Sequence, residues 1–361
     1  MSLYSQNIAI LAAAGSRKTE CLVEKALAVS DGNVLITTYT HENRRHIVRR
    51  IQQKVGVVPK HITIMGWFSF LIGQCIKPYQ RALTGQPFMV GGLNFKGQRC
   101  RYTRKTDLRY FVDSNADLYR DGVSDFAIEL NKKTKGAVVD RLERIYSHLL
   151  IDEVQDLVGY DLDVLDLLFS SRINLTVVGD PRQHTFATNL GSRNKQYRGA
   201  GLAQWFSERN GHCTLETRAY SYRCNQAICN FADKIFPTMP HTASREVPTS
   251  EHDGVFTVHK NLLADYLRDH GPVTALRHDR NADTCSLPAM NIGLAKGSTH
   301  DRVIIFPTRP MLAFLADGDA SRLKAPEKLY VAVTRARFSV AFVVPDAWAS
   351  TPSRATDYSR A

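Results

Sequence analysis

Two short stretches hold residue types that could do chemistry on a phosphate. The first is Ala12-Ala13-Ala14-Gly15-Ser16-Arg17-Lys18-Thr19, a run of small residues closed by Lys-Thr. It follows the apolar run Ile8–Leu11 and precedes the amphipathic run Thr19–Val29. Strand, small-residue loop and helix in that order is the layout of a phosphate-binding loop. A tight turn of small residues aims backbone N–H groups at phosphate oxygens, and the helix N-terminus adds about half a positive charge. Lys18 would reach the outer phosphates and the Thr19 hydroxyl would hold Mg²⁺. Arg17 departs from the pattern, because glycine before the lysine lets the backbone approach the ligand closely. A large cation there either obstructs the turn or adds a phosphate contact.

The second stretch is Leu149-Leu150-Ile151-Asp152-Glu153-Val154-Gln155-Asp156. A hydrophobic strand ending in Asp-Glu sets two carboxylates at the carboxyl edge of a sheet, where open α/β sheets bind ligands. Asp152 would bind Mg²⁺ directly or through water, and Glu153 would polarise an attacking water. Taken alone, the pair reads more readily as a helix N-cap. The loop upstream favours the metal reading.

The elements that must position these residues follow from periodicity. Asn7–Leu11, Asn33–Tyr39, His61–Met65, His148–Ile151 and Leu175–Val178 read as strands, with helices at His41–Val55, Trp67–Cys75 and Ala137–Tyr146. Later, Thr214–Glu216, Val255–His259, Val273–Leu276, Arg302–Phe306 and Phe338–Val344 read as strands, with helices at Asn225–Ile235, Asn261–Asp269 and Ala325–Arg335. Strands alternating with helices predict an α/β fold with parallel sheets. The stretch from Pro78 to Thr134 breaks the alternation. Its Gly91, Gly92, Lys96, Arg99, Arg101, Arg104 and Lys105 suit either an insertion touching a nucleic-acid backbone or a solvated charged loop. From about Pro345 the chain is rich in Ser, Thr and Ala and is expected to fray.

Composition sets the class. The 361 residues suffice for two domains, and 43% hydrophobic with 23% charged residues describes a globular chain. Forty-seven Lys and Arg against 35 Asp and Glu give a net charge of +12, which favours a polyanionic partner. No apolar run approaches the roughly 20 residues of a membrane span, so no membrane role is expected. The N-terminal residues lack a signal-peptide pattern, and the expected location is the cytoplasm. Seven scattered cysteines without a C-x-x-C pair argue against zinc and against a disulfide framework.

Taken together, the motifs resemble those of a superfamily 1 DNA helicase of the UvrD/Rep type, in order, from roughly Ile8 to Val344. The loop matches A-x-x-G-x-G-K-T except at Arg17. Thr38-Tyr39-Thr40 matches the next motif, and Gly66-Trp67-Phe68-Ser69-Phe70 matches another only loosely, so that Trp67 reads equally as core. Asp152-Glu153-x-Gln155-Asp156 and Val178-Gly179-Asp180-Pro181-Arg182-Gln183 match in full. Ser221-Tyr222-Arg223, Gly293-Leu294-Ala295-Lys296-Gly297-Ser298-Thr299 and Leu329-Tyr330-Val331-Ala332-Val333-Thr334-Arg335-Ala336 resemble the last three.

The resemblance implies two RecA-like P-loop NTPase lobes, 1–212 with an insertion at about 80–135 and 213–361 with a frayed tail from about 346. It implies Mg-ATP held between them. Ala12 to Thr19 would bind nucleotide, with Tyr222 stacking on adenine and Thr299 near the ribose. Thr19 and Asp152 would hold Mg²⁺. Lys18, Glu153, Gln183, Arg223 and Arg335 would act on the γ-phosphate or its water. Tyr39, Phe186 and Lys296 would meet single-stranded or partly duplex DNA. ATP would close the lobes and drive movement along the strand, 3′ to 5′ by resemblance alone.

Four departures bear on activity. Arg17 replaces a glycine. The family's upstream glutamine motif, which reads adenine, finds no counterpart in Met1–Leu11, where Gln6 lies too close to the loop. The second-lobe insertion before Lys296 is missing, and the first-lobe insertion is reduced. In addition, Thr188 stands where the family has a stacking tryptophan. A pared-down motor fits an ATP-driven helicase or translocase. It also fits a nucleotide-gated, slowly hydrolysing subunit of a repair or phage-defence complex, with a protein partner supplying duplex contacts or effector activity.

Overall fold

The computed structural model describes residues 7–83, 85, 88–97, 99, 102–189, 191–245, 247–348 and 356–357. Gln6, Arg101 and nearly all of the tail beyond 348 therefore lie outside the described residues. The chain divides into two compact units. The first takes the chain up to Leu11 and Lys18–Thr217; the second takes Ala12–Arg17 and the chain from Arg218.

The first unit is built on a six-stranded sheet ordered Ile62–Gly66, Val34–Thr38, His148–Ile151, Asn174–Gly179, Ile8–Ala12 and Thr214–Arg218. Its first five strands pair in parallel. Parallel pairing forces each connection across a face of the sheet, so both faces are covered. Along the strands, Ala9, Leu11, Leu35, Leu149, Ile151, Leu175 and Val177 share one core. The intervening Ile10, Ile36, Leu150 and Val178 are equally buried, on the opposite face by strand periodicity. Helix Lys18–Leu27 packs on the strand Asn174–Gly179 and on helix His41–Val55. The strand at Thr214, counted with the second lobe by the sequence reading, is instead the edge strand beside Ile8–Ala12. Its polar pattern gives no sign of which sheet it joins. The pairing is fixed by a distant contact, the Thr214 amide donating to the Asn7 carbonyl at 2.9 Å.

The expected helix over Trp67–Cys75 begins as α-helix at Trp67–Phe70 and continues as a π-helix over Leu71–Ile76. The wider turn brings residues five apart back over one another. Phe70 with Cys75, and Leu71 with Ile76, are thereby all buried.

The Pro78–Thr134 stretch is not a loose charged loop. It contains helix Val123–Lys133, whose Val123, Phe126, Ala127 and Leu130 enter the core, and Phe126 stacks on Phe111 with centroids 4.6 Å apart. Two of the basic residues expected to reach a nucleic-acid backbone are committed inward. Arg99 and Lys105 pair with the fully buried Asp125 at 3.1 and 2.8 Å. A buried carboxylate demands such partners, and local sequence does not reveal where it sits.

The second unit carries a parallel sheet ordered Ala289–Asn291, Thr274–Arg277, His300–Phe306, Ala336–Val344, Gly254–His259 and Thr356–Asp357. Alternation is clean. Val303, Ile305, Val340, Phe342 and Val344 face one core with Ile228, Phe314 and Leu329. Ile304, Phe306, Ala341 and Val343 face another with Leu263 and Tyr266. Both units thus have the parallel α/β build that the resemblance implies. The helix Arg309–Asp317 and the strand Ala289–Asn291 were not anticipated. Among the described residues, no helix is long and apolar enough to cross a membrane.

One buried carboxylate organises the middle of the first unit. Asp161 accepts from Trp67 Nε1 at 2.8 Å, from the Val158 amide at 3.2 Å, and from the Ser124 and Thr188 hydroxyls. Trp67 is therefore core, and Thr188 has a structural task where the resemblance has a stacking ring. Asp161→Leu orphans several buried donors at about 1–3 kcal/mol each. Urea unfolding should show a loss of about 3 kcal/mol or more, and a loss below 1 kcal/mol would deny Asp161 this role.

Candidate functional site

In the first unit the site grows from three strand ends. Lys18 and Thr19 open the helix Lys18–Leu27, Asp152 and Glu153 follow His148–Ile151, and Asp180 to Gln183 follow Asn174–Gly179. Thr19 Oγ1 donates to Asp152 Oδ2 at 2.9 Å, bringing together the two expected Mg²⁺ ligands. Asp152 is buried, and the Glu153 amide donates to its Oδ1 at 3.0 Å. Burial and the like charge of Glu153 push its carboxyl up to about 6, against the pull of Lys18 and Thr19.

Glu153 holds a positive φ of 60°, uncommon for a residue with a side chain, and its carboxylate accepts from Gln155 Nε2. Gln155 Oε1 in turn accepts the Asp180 amide at 3.0 Å. Gly179 makes this closeness possible, since a Cβ there would meet Val154 Cγ1 at 2.8 Å. Gln183 is buried and its Nε2 donates to Asp180 Oδ2 at 2.8 Å, while Arg182 Nε donates to Oδ1 at 3.1 Å. Burial opposes ionisation of Asp180, but Arg182 and Lys18 outweigh it and hold the carboxyl below its usual value. Lys18 is thus electrostatically coupled to both Asp152 and Asp180.

This donor set fits a small hard cation beside a polyphosphate. It offers a hydroxyl, a buried carboxylate in need of positive charge, and a second carboxylate next to it. Among the described residues no cluster of three or more His, Cys, Asp or Glu exists that would suit an all-protein metal cage.

In the second unit the loop Ala12–Arg17 is tightly held. The Ala13 amide donates to the Arg218 carbonyl at 2.9 Å and the Ala14 amide to the Tyr330 hydroxyl at 3.3 Å. These two amides, expected to face phosphate, are already engaged. Gly15 has a φ of 77°, and a Cβ there would meet Arg223 Cβ at 2.7 Å. Ser16 is buried, and its hydroxyl has no hydrogen-bond partner, as fits a group awaiting an acceptor such as a phosphate oxygen. Arg17 neither fills the turn nor projects freely. It adopts a φ of 60° and lays its guanidinium carbon 4.0 Å from the centroid of Tyr222. The positive φ explains why glycine suits this position, and the ring contact explains how arginine is accommodated.

The remaining expected residues are placed as follows. Tyr222 donates its amide to the Gly15 carbonyl at 2.9 Å. Arg223 Nη1 donates to the Thr334 carbonyl at 3.0 Å. Arg335 is 2% exposed, and its Nε donates to the Val331 carbonyl at 3.1 Å. Lys296 is buried, whereas Thr299 is exposed. Tyr330, whose hydroxyl meets the loop, was passed over by sequence reasoning. Its signal was only its place within the motif that ends at Arg335.

Tyr39 and Phe186 are brought together in the first unit, with ring centroids 6.3 Å apart. Thr40, beside Tyr39, caps helix His41–Val55 by accepting the Asn43 amide at 3.1 Å. Phe68 lies 6.0 Å from Tyr39.

Comparison with known proteins falls on the same residues. Residues 119–194 match the family model of the UvrD/REP helicase N-terminal domain, a span that contains Asp152–Asp156 and Asp180–Gln183. The match covers part of the first unit, and the motif resemblance to a superfamily 1 helicase agrees with it there. No curated protein matches the chain. Among solved structures, the chain is similar to an arterivirus nonstructural protein 10 (helicase), at 16% identity and a TM-score of 0.48, covering 94% of this chain and 60% of that one. It is similar also to a complex of arterivirus nonstructural protein 10 (helicase) with DNA, at 16% identity and a TM-score of 0.49, covering 94% and 61%. The chain thus spans about three fifths of the length of these structures.

Two outcomes are expected. Asp152 must ionise to hold a cation, so Mg²⁺-dependent nucleotide affinity should fall about tenfold per pH unit below about pH 6. Without a cation, the folded carboxyl keeps a proton between 3.8 and about 6 that the unfolded one has lost. Its contribution to stability therefore declines as pH rises through that window, and Asp152→Asn removes the decline. At Arg17, glycine relieves the strain while losing the ring contact, so Arg17→Gly should stay within about 1 kcal/mol of the parent in stability. Arg17→Ala keeps the strain and loses the contact, and should be the less stable of the two by thermal melting. The reverse order would show that φ at this position carries no cost.

Proposed function

We propose that the chain is an ATP-dependent DNA helicase or single-stranded DNA translocase. The observation that carries this reading is the hydrogen bond from Thr19 to a buried Asp152 whose carboxyl is pushed up by burial and by the neighbouring Glu153. Thr19 and Asp152 would hold Mg²⁺ there beside a bound nucleotide, and the family match over 119–194 supports a nucleic-acid motor of the helicase kind.

In this reading Lys18 and the helix N-terminus would hold the outer phosphates, and Thr19 and Asp152 would hold Mg²⁺, which would supply charge neutralisation for phosphoryl transfer. Glu153 takes a proton from the attacking water, and Gln155 holds its carboxylate in place. Gln183, tied to Asp180, is the residue that senses the γ-phosphate. The roles of Tyr222, Arg223, Thr299 and Arg335, and the 3′-to-5′ direction, rest on the motif resemblance. Tyr39 and Phe186 offer aromatic faces for bases, and Lys296 is assigned to the strand by its motif alone.

A second reading is favoured by one observation, the guanidinium of Arg17 lying on Tyr222. If that ring is the base platform, nucleotide entry must displace the arginine, which suits a slowly cycling, nucleotide-gated subunit acting with a protein partner. ATP hydrolysis with and without saturating single-stranded DNA or RNA separates the two. Strong stimulation is expected of the motor, and a rate that stays at background sinks it. Glu153→Gln should retain ATP binding and lower turnover by about 100-fold or more. Undiminished turnover would remove Glu153 as the base.

A further inference from the structure

His300 opens the strand His300–Phe306, one residue past the motif that ends at Thr299, and the resemblance gives it no task. Both of its ring nitrogens are nevertheless engaged within the second unit. Ser298 Oγ lies 2.8 Å from Nε2, and Thr274 Oγ1 lies 3.0 Å from Nδ1. All three side chains are half-buried. The Ser298 hydroxyl has one proton, and it goes to the Ala295 carbonyl at 2.7 Å, which can only accept. Ser298 Oγ must therefore accept from the imidazole, so Nε2 carries the hydrogen. Nδ1 is then the acceptor, and the Thr274 hydroxyl donates to it. One neutral tautomer satisfies the whole set.

The network ends on Arg335. The Ser298 carbonyl accepts from Arg335 Nη1 at 3.4 Å, and the His300 amide donates to the Arg335 carbonyl at 2.9 Å. Residues 298 and 300 thus hold the arginine at its side chain and at its backbone, and the imidazole ties those two residues together. We infer that His300 is a positioning residue for Arg335, fixing the turn at Lys296–Thr299 through a neutral Nε2–H bond to Ser298. The inference rests on the proposed motor reading, in which Arg335 meets the γ-phosphate. Electrostatics keeps the ring neutral. Protonation at Nδ1 would cost no hydrogen bond, because the Thr274 hydroxyl can turn and accept. It would set a third positive charge beside two arginines. Burial first, then Arg335 and Arg223, hold the imidazole below its usual value. Asp301 pulls the other way, but it is exposed and paired with Arg337 at 3.0 Å.

The test uses the full chain. Nitrogen NMR of the imidazoles should show His300 as the Nε2–H tautomer, and an Nδ1–H tautomer overturns the inference. In ATP hydrolysis with single-stranded DNA, His300→Ala should lower kcat about tenfold or more and leave KM within about twofold of the parent, because a misplaced arginine is missed in the transition state. His300→Gln, whose side-chain N–H can donate to Ser298 Oγ, should recover most of that loss. His300→Phe, which has the bulk without the donor, should not. A kcat for His300→Ala within about twofold of the parent, or equal rates for the Gln and Phe variants, overturns the inference. Arg335→Gln should raise the pH at which His300 titrates, since a neighbouring positive charge is gone, and an unmoved midpoint also overturns it. If the parent hydrolyses no ATP, the motor reading falls, and the tautomer and this titration alone decide the tie between His300 and Arg335.

Discussion

The hydrogen bond between Thr19 and Asp152 is the constraint on which the rest of the first unit turns. It joins the first residue pair of one helix to the end of a strand two positions away in the sheet. That strand end can present Asp152 only because parallel pairing sends every connection to the opposite edge, leaving the carboxyl ends together. Burial then makes the carboxylate demanding. It needs a proton, or the charge of Lys18, or a cation. The neighbouring bonds, from Gln155 to Glu153 and to Asp180, extend this single tie into a network covering three strand ends.

Asp161 plays the matching role away from the chemistry. By binding Trp67, Ser124, Val158 and Thr188, it fixes the segment following Asp152–Asp156 against the start of the helix at Trp67 and the inserted helix Val123–Lys133. A buried carboxylate with four donors is costly to break and specifies one arrangement. The insertion is therefore part of the fold, with Asp125 drawing Arg99 and Lys105 inward. Phe95 and Lys96 are among the residues that stay exposed on it.

Arg17 shows how a departure from a motif is absorbed. The loop requires a left-handed backbone at this point, which glycine supplies freely and arginine supplies at a cost of about 1 kcal/mol. The planar guanidinium recovers a comparable amount on the Tyr222 ring. From the residue string, obstruction and phosphate contact were the two options in view. Stacking on a residue about two hundred positions later was not one that local reasoning could raise.

The strands, most helices and the order of the motifs were determined by sequence alone, because alternation and turn chemistry are local. Sequence alone also singled out Lys18, Thr19, Asp152 and Glu153, since strand-loop-helix and strand-Asp-Glu each fix the neighbourhood of their own residues, and the bond from Thr19 to Asp152 brings two of them together. Tertiary structure decided everything that depends on distant partners. It placed Thr214–Arg218 in the first sheet, paired Arg99 and Lys105 with the buried Asp125, engaged the Ala13 and Ala14 amides, and aligned Phe95 with Phe68, Tyr39 and Phe186. The physical reason is the same in each case. Hydrogen bonds, ion pairs and ring contacts across tens or hundreds of residues leave no periodic trace in the chain, and they exist only once the sheets have brought their partners within reach.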